Sequence, residues 1–327
     1  MSNWRASRAA LVLAFSAILL HLPGSSAQAA FPGKNGRIAF VRSSGPRQLH
    51  VWTMEADGSR QKRLYPRRAI APAWSPNGTR IAFDSWISEP GTITVTDADG
   101  SNVRTLASGG DFRDPRWSPT GRQIVFTGFA DGPGGYRGRA YRILIANSDD
   151  GRITFRGSAP LLPRHGSEPE RPTWSPRADR FAFELGPYHR GVGETSEVFT
   201  MTPEGEDLRQ LTNNRVSEYD LDWSPDGSRL LYVRIRARAH RYARPSDIVV
   251  MGKNGHDVRV LTHTKRKELS ASFSPNGRRI VFSKCCYGES KTPEIFVMRA
   301  DGTHVVRLTF NEVWDSLPDW QPIPRAR

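Results

Sequence analysis

The chain has 327 residues, 47 Lys and Arg against 33 Asp and Glu, a formal net charge of +14, and two cysteines that are adjacent at 285 and 286. Adjacent cysteines cannot tie distant segments together, so a disulfide framework is excluded, and after residue 29 no stretch is long and apolar enough to cross a bilayer. The positive balance points to anionic surfaces or polymers as neighbours.

Residues 1–29 read as a secretory signal peptide: Arg5 and Arg8 form a basic start, Ala10 to Leu22 an apolar run, and Ala27-Gln28-Ala29 a small-residue cleavage site. The expected location is therefore secreted, periplasmic or in the cell envelope, which disfavours nucleic acid as a partner. No Cys stands at the cleavage site, so no lipid anchor is expected. Loss of the leader leaves 45 basic against 33 acidic residues over one domain, 30–327.

From Gly33 onward the chain repeats. Anchors of the form Trp-Ser-Pro-Asx-Gly stand at Trp74–Gly78, Trp117–Gly121, Trp174–Ala178, Trp223–Gly227 and Phe273–Gly277, with a worn copy at Trp320-Gln321-Pro322. Successive anchors lie 43, 57, 49, 50 and 47 residues apart, a period that suits propeller blades or a solenoid. After each full anchor comes a short run, such as Arg80-Ile-Ala-Phe83 or Arg279-Ile-Val-Phe282. Both faces of these runs are apolar, as in strands covered on both sides. A second strand follows, then a tight turn such as Asp57-Gly58, Asp99-Gly100 or Asp301-Gly302, which tolerates the positive φ of hairpin turns. A closing strand ends in Leu or Leu-Thr, as at Leu211-Thr212, Leu261-Thr262 and Leu308-Thr309. Each repeat is thus a four-stranded antiparallel meander.

The two ends complete each other. Gly33–Phe40 looks like a unit whose first strand is missing, and the Trp320 strand has no strands after it. The pattern predicts an all-β, six-bladed β-propeller closed by one C-terminal strand joining three N-terminal ones. Such closure removes exposed edges.

The anchor spacing, the Arg-Ile-Ala-Phe strand and the Ala-Asp-Gly turn together resemble the TolB-like, WD-like β-propeller repeat family over about residues 33 to 322. The resemblance implies a stand-alone propeller, since no room precedes Gly33 for the N-terminal α/β domain of TolB. Propellers of this family serve as binding scaffolds, as gating domains of serine peptidases and occasionally as enzymes.

Strand alternation places the anchor and Asp-Gly turns on one face of the disc and the longer loops on the other, where binding function usually resides. The segment Arg234–Arg244 holds Arg234, Arg236, Arg238, Arg241 and Arg244, and no acid. Arginines there suit bidentate contact with phosphate or carboxylate, or extend a strand with a solvated face. Acids recur before the anchors: Asp114, Glu168, Glu170, Glu218, Asp220, Glu268 and Asp315, with Arg113 or Arg171 able to join them. They either form a carboxylate ring at the channel mouth, able to hold a divalent cation or do acid–base chemistry, or bond neighbouring loops and arginines. Asp97-Ala98-Asp99-Gly100 reads as a turn rather than a calcium loop. Cys285 and Cys286 form a vicinal disulfide or remain thiols; no resident metal or cofactor is expected. Neither a nucleophile elbow nor a P-loop is present. The leading expectation is a monomeric, non-catalytic secreted scaffold that binds a protein or an anionic envelope polymer. The alternative is a channel-mouth lyase or hydrolase acting on acidic polysaccharide.

Overall fold

The computed structural model describes residues 31–45, 48–85, 91–130, 140–156, 167–187, 195–214, 216–236, 245–285 and 292–324. Among these residues the chain is all strand and turn, without helix. Strands β1 (Lys34–Ser43), β2 (Leu49–Met54) and β3 (Lys62–Arg63) begin the first sheet. The next three sheets are β4 (Ala69–Trp74), β5 (Arg80–Ser85), β6 (Thr92–Asp97) and β7 (Arg104–Ala107); β8 (Arg113–Trp117), β9 (Gln123–Ala130), β10 (Ala140–Asn147) and β11 (Ile153–Arg156); and β12 (Ser167–Trp174), β13 (Phe181–Pro187), β14 (Glu197–Met201) and β15 (Arg209–Gln210). Then come β16 (Glu218–Trp223), β17 (Arg229–Ile235), β18 (Ser246–Gly252), β19 (Arg259–Val260), β20 (Lys267–Phe273), β21 (Arg279–Cys285), β22 (Glu294–Arg299) and β23 (Val306–Arg307). The last strand, β24 (Trp314–Ile323), pairs antiparallel with β1 and completes the first sheet, with Ile38 opposite Trp320 and Arg42 opposite Asp315.

The fold is therefore a propeller of four-stranded antiparallel blades. Four sheets stand alone, and strands β16 to β23 make one eight-stranded sheet in which two meanders are joined by a single parallel bridge, Ser246 to Lys267. The innermost strands touch in a closed cycle: β4, β8, β12, β16, β20, β24 and back to β4.

The anchor motif has a local physical reason. The Ser224 hydroxyl accepts the Arg229 amide at 2.9 Å and donates to Asp226 at 2.6 Å, while Asp226 accepts the Ser228 amide at 3.0 Å. The same knot forms around Ser75 with Asn77 and around Ser274 with Asn276. The anchor turn then bonds the Asp-Gly turn of its own blade, Lys253 N to Ser228 O at 2.9 Å and Ala98 N to Thr79 O at 2.8 Å, so both turns share one face. The Asp-Gly glycine is needed twice over. Gly100 has φ +91°, and a Cβ there would stand 2.4 Å from the Leu64 carbonyl oxygen of the preceding blade.

The core lies between blades rather than within them. Val51 and Ala39 of the first sheet pack on Trp74, Ile81 and Phe83 of the second, and the contact closes where Val281 and Ile295 meet Ile38, Phe40 and Trp320. Each Val, Ile or Phe among them contributes roughly 1.5–3 kcal/mol on burial. Polar contacts cross the same seams. Trp117 Nε1 donates to Ala73 O at 3.1 Å and Trp223 Nε1 to Thr173 O at 3.3 Å. The Arg80 guanidinium lies 4.7 Å over the Trp117 ring and that of Arg37 5.3 Å over Trp74. Part of the positive charge therefore serves as inter-blade packing.

Candidate functional site

The innermost strands all break register at one place. The residue three before each anchor has positive φ: Ala71 (52°), Asp114 (55°), Arg171 (48°), Asp220 (57°), Ser270 (40°) and Leu317 (51°). The strand pairings slip there, as between Glu170 and Thr173 or between Tyr219 and Asp222. Such bulges re-aim side chains. Here they bring the positions three and one before the anchor, Asp114 excepted, to the axial channel. The channel has a cavity volume of about 70 Å³, and its lining includes Arg116, Arg171, Asp220, Asp222, Ser270, Ser272 and Asp319, with Ala71, Ala73 and Leu317 on an apolar side.

The charged half of this wall is a chain of mutual ties. Arg171 reaches Glu184 at 3.1 Å, Asp220 at 3.1 Å and Glu170 at 3.4 Å. Glu184 accepts the Asp220 amide at 2.6 Å, and Asp220 accepts both the amide and the hydroxyl of Ser270 at 3.1 Å. Asp222 accepts the Phe273 amide at 2.7 Å and the Ser272 hydroxyl at 3.1 Å, and Asp319 accepts the Trp74 amide at 2.7 Å. Glu184, Asp220, Asp222 and Asp319 each grip the backbone of the next blade.

Burial sets the electrostatics. It pushes Glu184 up to about 8 against the pull of Arg171, and Asp222 up to about 7, with Asp319 adding to the rise. It raises Asp84, Asp114 and Asp319 as well. Burial works against the Arg171 charge, but Glu184, Asp220, Asp114 and Glu170 outweigh it and hold the guanidinium above its ordinary value. Arg116 donates to Pro115 O at 3.0 Å, and its field lowers Asp84, Asp114, Asp222 and Asp319. Glu184 and Asp222 thus titrate near neutral pH. The channel wall can hold or pass a proton, and it presents cation and carboxylate side by side.

The sequence-derived acids divide between two places. Asp114 sits at the bulge position of β8, and Glu170 pairs with Arg171 beside the channel. Glu218, Glu268 and Asp315 stand five before their anchors and are fully buried at the loop-side rim, outside the channel lining. Glu218 accepts Asn214 Nδ2 at 2.7 Å, Glu268 accepts the Thr264 hydroxyl at 2.6 Å, and Asp315 takes Arg42 at 2.7 Å. Asp222, Asp319, Arg116 and Glu184 were not singled out from the sequence. The available signal was an acid directly before an anchor Trp, in Asp222-Trp223 and Asp319-Trp320.

On the loop side, Arg236 is committed to Asp247, with Nε to Oδ2 at 2.7 Å, and Arg234 stands opposite Glu218 in the β16–β17 pairing. Arg238, Arg241 and Arg244 lie outside the described residues. Other loop-side cations are exposed: Arg67, Lys265, Arg266 and Lys267. Trp314 occupies the position on the adjacent strand β24 that matches Lys267 and is 54% exposed, and Phe310, with the Arg307 guanidinium 4.7 Å over its ring, is 74% exposed. Cys285 is buried and disulfide-bonded; the one other cysteine, Cys286, lies outside the described residues. Among the described residues no cluster of three or more His, Cys, Asp or Glu is arranged to hold a metal ion, and no helix is long and apolar enough to cross a membrane.

The Tol-Pal system protein TolB of Thioalkalivibrio sulfidiphilus is 32% identical over 79 residues, 23% of this chain and 18% of that protein. The chain therefore matches less than a fifth of the length of that relative. The crystal structure of TolB from Acinetobacter baumannii superposes with a TM-score of 0.68 at 20% identity, covering 88% of this chain and 67% of that one. An oligogalacturonate lyase in complex with manganese superposes with a TM-score of 0.53 at 10% identity, over 85% of this chain and 74% of that one. At these identities the likeness is one of fold. Residues 89–285, more than half of the sequence, match the family model described as the TolB beta propeller domain. The chain is a member of the TolB beta propeller domain family.

Proposed function

We propose that this protein is an exported, monomeric, non-catalytic binding scaffold, with residues 1–29 as its leader and 30–327 as a six-bladed ring. The blade count reads the eight-stranded sheet as two blades, because one residue pair alone joins its halves and six innermost strands complete the cycle. The ring docks an anionic partner of the cell envelope, polymer or protein, on its loop face. The observation that carries this reading is the exposed run Lys265-Arg266-Lys267, with exposed Trp314 at the position on the adjacent strand β24 that matches Lys267. None of these three cations has an ion-pair partner among the described residues, whereas the channel and rim carboxylates are tied into the fold. Unpaired cations and exposed aromatic side chains on one face supply charge and apolar area together. Arg234, Arg238, Arg241 and Arg244 extend the same face in this reading.

The test is co-sedimentation of purified protein with its own envelope fraction across a salt series. The reading requires binding at low salt that falls steeply as salt rises. Absence of low-salt binding rejects it.

One observation favours a second reading, a lyase or hydrolase acting on acidic polysaccharide. Asp222 and Glu184 are raised into the range where a carboxyl serves as acid or base near neutral pH, and a fold neighbour is an oligogalacturonate lyase. Incubation with polyuronate oligosaccharides, with and without Mn²⁺, decides this. Chain cleavage lost in Asp222→Asn supports the enzyme, and no cleavage rejects it.

A further inference from the structure

Three successive rim junctions between blades repeat one arrangement. In each, an acid at the start of β14, β18 or β22 meets the acid five before the next anchor. The pairs are Glu197 with Glu218, Asp247 with Glu268, and Glu294 with Asp315. Asn214 bridges the first pair, its amide to Glu197 at 3.3 Å and its side chain to Glu218 at 2.7 Å. Asn311 bridges the third in the same way, at 3.0 Å to Glu294 and 2.8 Å to Asp315.

The junctions differ in their cations. The third pair holds Arg307 on Glu294 at 2.9 Å and Arg42 on Asp315 at 2.7 Å. The second holds Arg236 on Asp247 and Lys284 on Glu268 at 3.4 Å. Each of these two pairs of negative charges thus has two positive charges in contact.

The first pair has none in contact among the described residues. The counterpart of Arg307 is Gln210, which donates to Thr212 O at 2.7 Å as Arg307 donates to Thr309 O at 2.6 Å, but carries no charge. The counterpart of Lys284 and Arg42 is Arg234, opposite Glu218 in the strand register, whose field lowers Glu218 without an ion pair. Glu197 is 8% exposed and Glu218 0%, and the Oε2 atom of each is buried with no hydrogen-bond partner. Glu268 also leaves one oxygen open, but its junction is neutralised. Two buried carboxylates with open oxygens and no contacting cation are a costly arrangement unless a charge is brought in.

We propose that this junction binds one divalent cation, with Glu197 and Glu218 as its carboxylate ligands. A doubly charged ion supplies the charge that two basic side chains supply at each of the other junctions. Carboxylate oxygens are the ligands that hard cations such as Ca²⁺ take. The site lies at the rim between two blades, away from the axial channel.

The experiment uses the whole protein, stripped with EDTA and held at about pH 8 so that Glu218 is ionised. CaCl₂ and MgCl₂ are titrated in separate runs, read by calorimetry and by thermal unfolding. The proposal requires saturable uptake of one equivalent of Ca²⁺ or Mg²⁺ and a rise in Tm of about 3 °C or more at saturating ion. Glu197→Gln and Glu218→Gln should abolish the uptake. Gln210→Arg, which installs the side chain found at Arg307, should raise Tm in EDTA and remove the response to ion. A wild-type protein that responds to neither ion overturns the proposal, since the pair is then neutralised by a proton. Uptake retained in Glu218→Gln overturns it by placing the ion elsewhere. Should the glutamine variants fail to fold, an undiminished response in Gln210→Arg overturns it equally.

Discussion

Asp222 offers a test in which two substitutions at one position separate charge from hydrogen bonding. Its carboxyl accepts the Phe273 amide at 2.7 Å and the Ser272 hydroxyl at 3.1 Å, and burial raises it from 3.8 to about 7. Between those two values the folded protein binds more protons than the unfolded chain. Stability from this group is therefore greatest below about pH 4, falls as pH rises to about 7, and is level above. The full shift corresponds to about 4 kcal/mol, and water reaching one edge of the carboxylate through the channel reduces this to on the order of 2 kcal/mol. Asp222→Asn keeps an acceptor oxygen and removes the charge. It should flatten the pH dependence across this window and leave the protein as stable as wild type or about 1–2 kcal/mol more stable at about pH 8. Asp222→Ala removes the charge and also orphans the Phe273 amide, which costs about 1–3 kcal/mol, so it should unfold at lower urea than Asp222→Asn at every pH. Urea titrations of the three proteins at about pH 5 and about pH 8 provide the comparison. Equal destabilisation by Asn and Ala at about pH 8 would refute the reasoning, because the carboxylate would then be a favourable charge held by Arg116 rather than a buried liability.

The remaining predictions concern the seams between blades. Trp117→Phe should cost about 1–2 kcal/mol in urea unfolding, through loss of the indole bond to Ala73 O and weaker stacking under Arg80, and Trp117→Ala about 3–5 kcal/mol. Gly100→Ala, at φ +91° and 2.4 Å from the Leu64 carbonyl, should lower stability by more than about 2 kcal/mol, whereas Gly45→Ala, with open space around it, should be near neutral. Arg171→Met leaves Glu184, Glu170 and Asp220 without their shared partner. It should destabilise the protein by about 3 kcal/mol at about pH 9 and by clearly less at about pH 5, where protonation of Glu184 removes one of the stranded charges.

The repeat was legible in the sequence because its causes are local. The Ser hydroxyl in the anchor knots residues within five positions of itself, and the Asp-Gly turn carries its positive φ in its own residue type. Pairing of β24 with β1 was legible from two incomplete units that fit together. Of the channel wall, Arg171 and Asp220 were legible as charges before an anchor, and the rest was not. The bulge three before each anchor is held by Ala, Asp, Arg, Asp, Ser and Leu, with no glycine to mark it. Plain strand alternation would put the acids five before the anchor on the same side as those three and one before. The bulge breaks that alternation, so Glu218, Glu268 and Asp315 go to the rim while Asp222 and Asp319 line the axis. The arginines were ambiguous for another reason. Composition does not distinguish Arg80, spent on the next Trp, from Lys265 and Arg266, which stand in solvent.

If one face of the ring docks an anionic envelope partner, swapping charge between the two faces separates that face from net charge. A loop-face variant, Lys265→Glu with Arg266→Glu and Lys267→Glu, and a turn-face variant, Arg122→Glu with Lys253→Glu and Arg278→Glu, change net charge equally at exposed positions. Co-sedimentation of both with the envelope fraction at low salt is the measurement. The account predicts at least about tenfold weaker binding for the loop-face variant, a loss of about 1.4 kcal/mol, and near-wild-type binding for the turn-face variant. Equal weakening of both would contradict it and reduce the attraction to net charge alone.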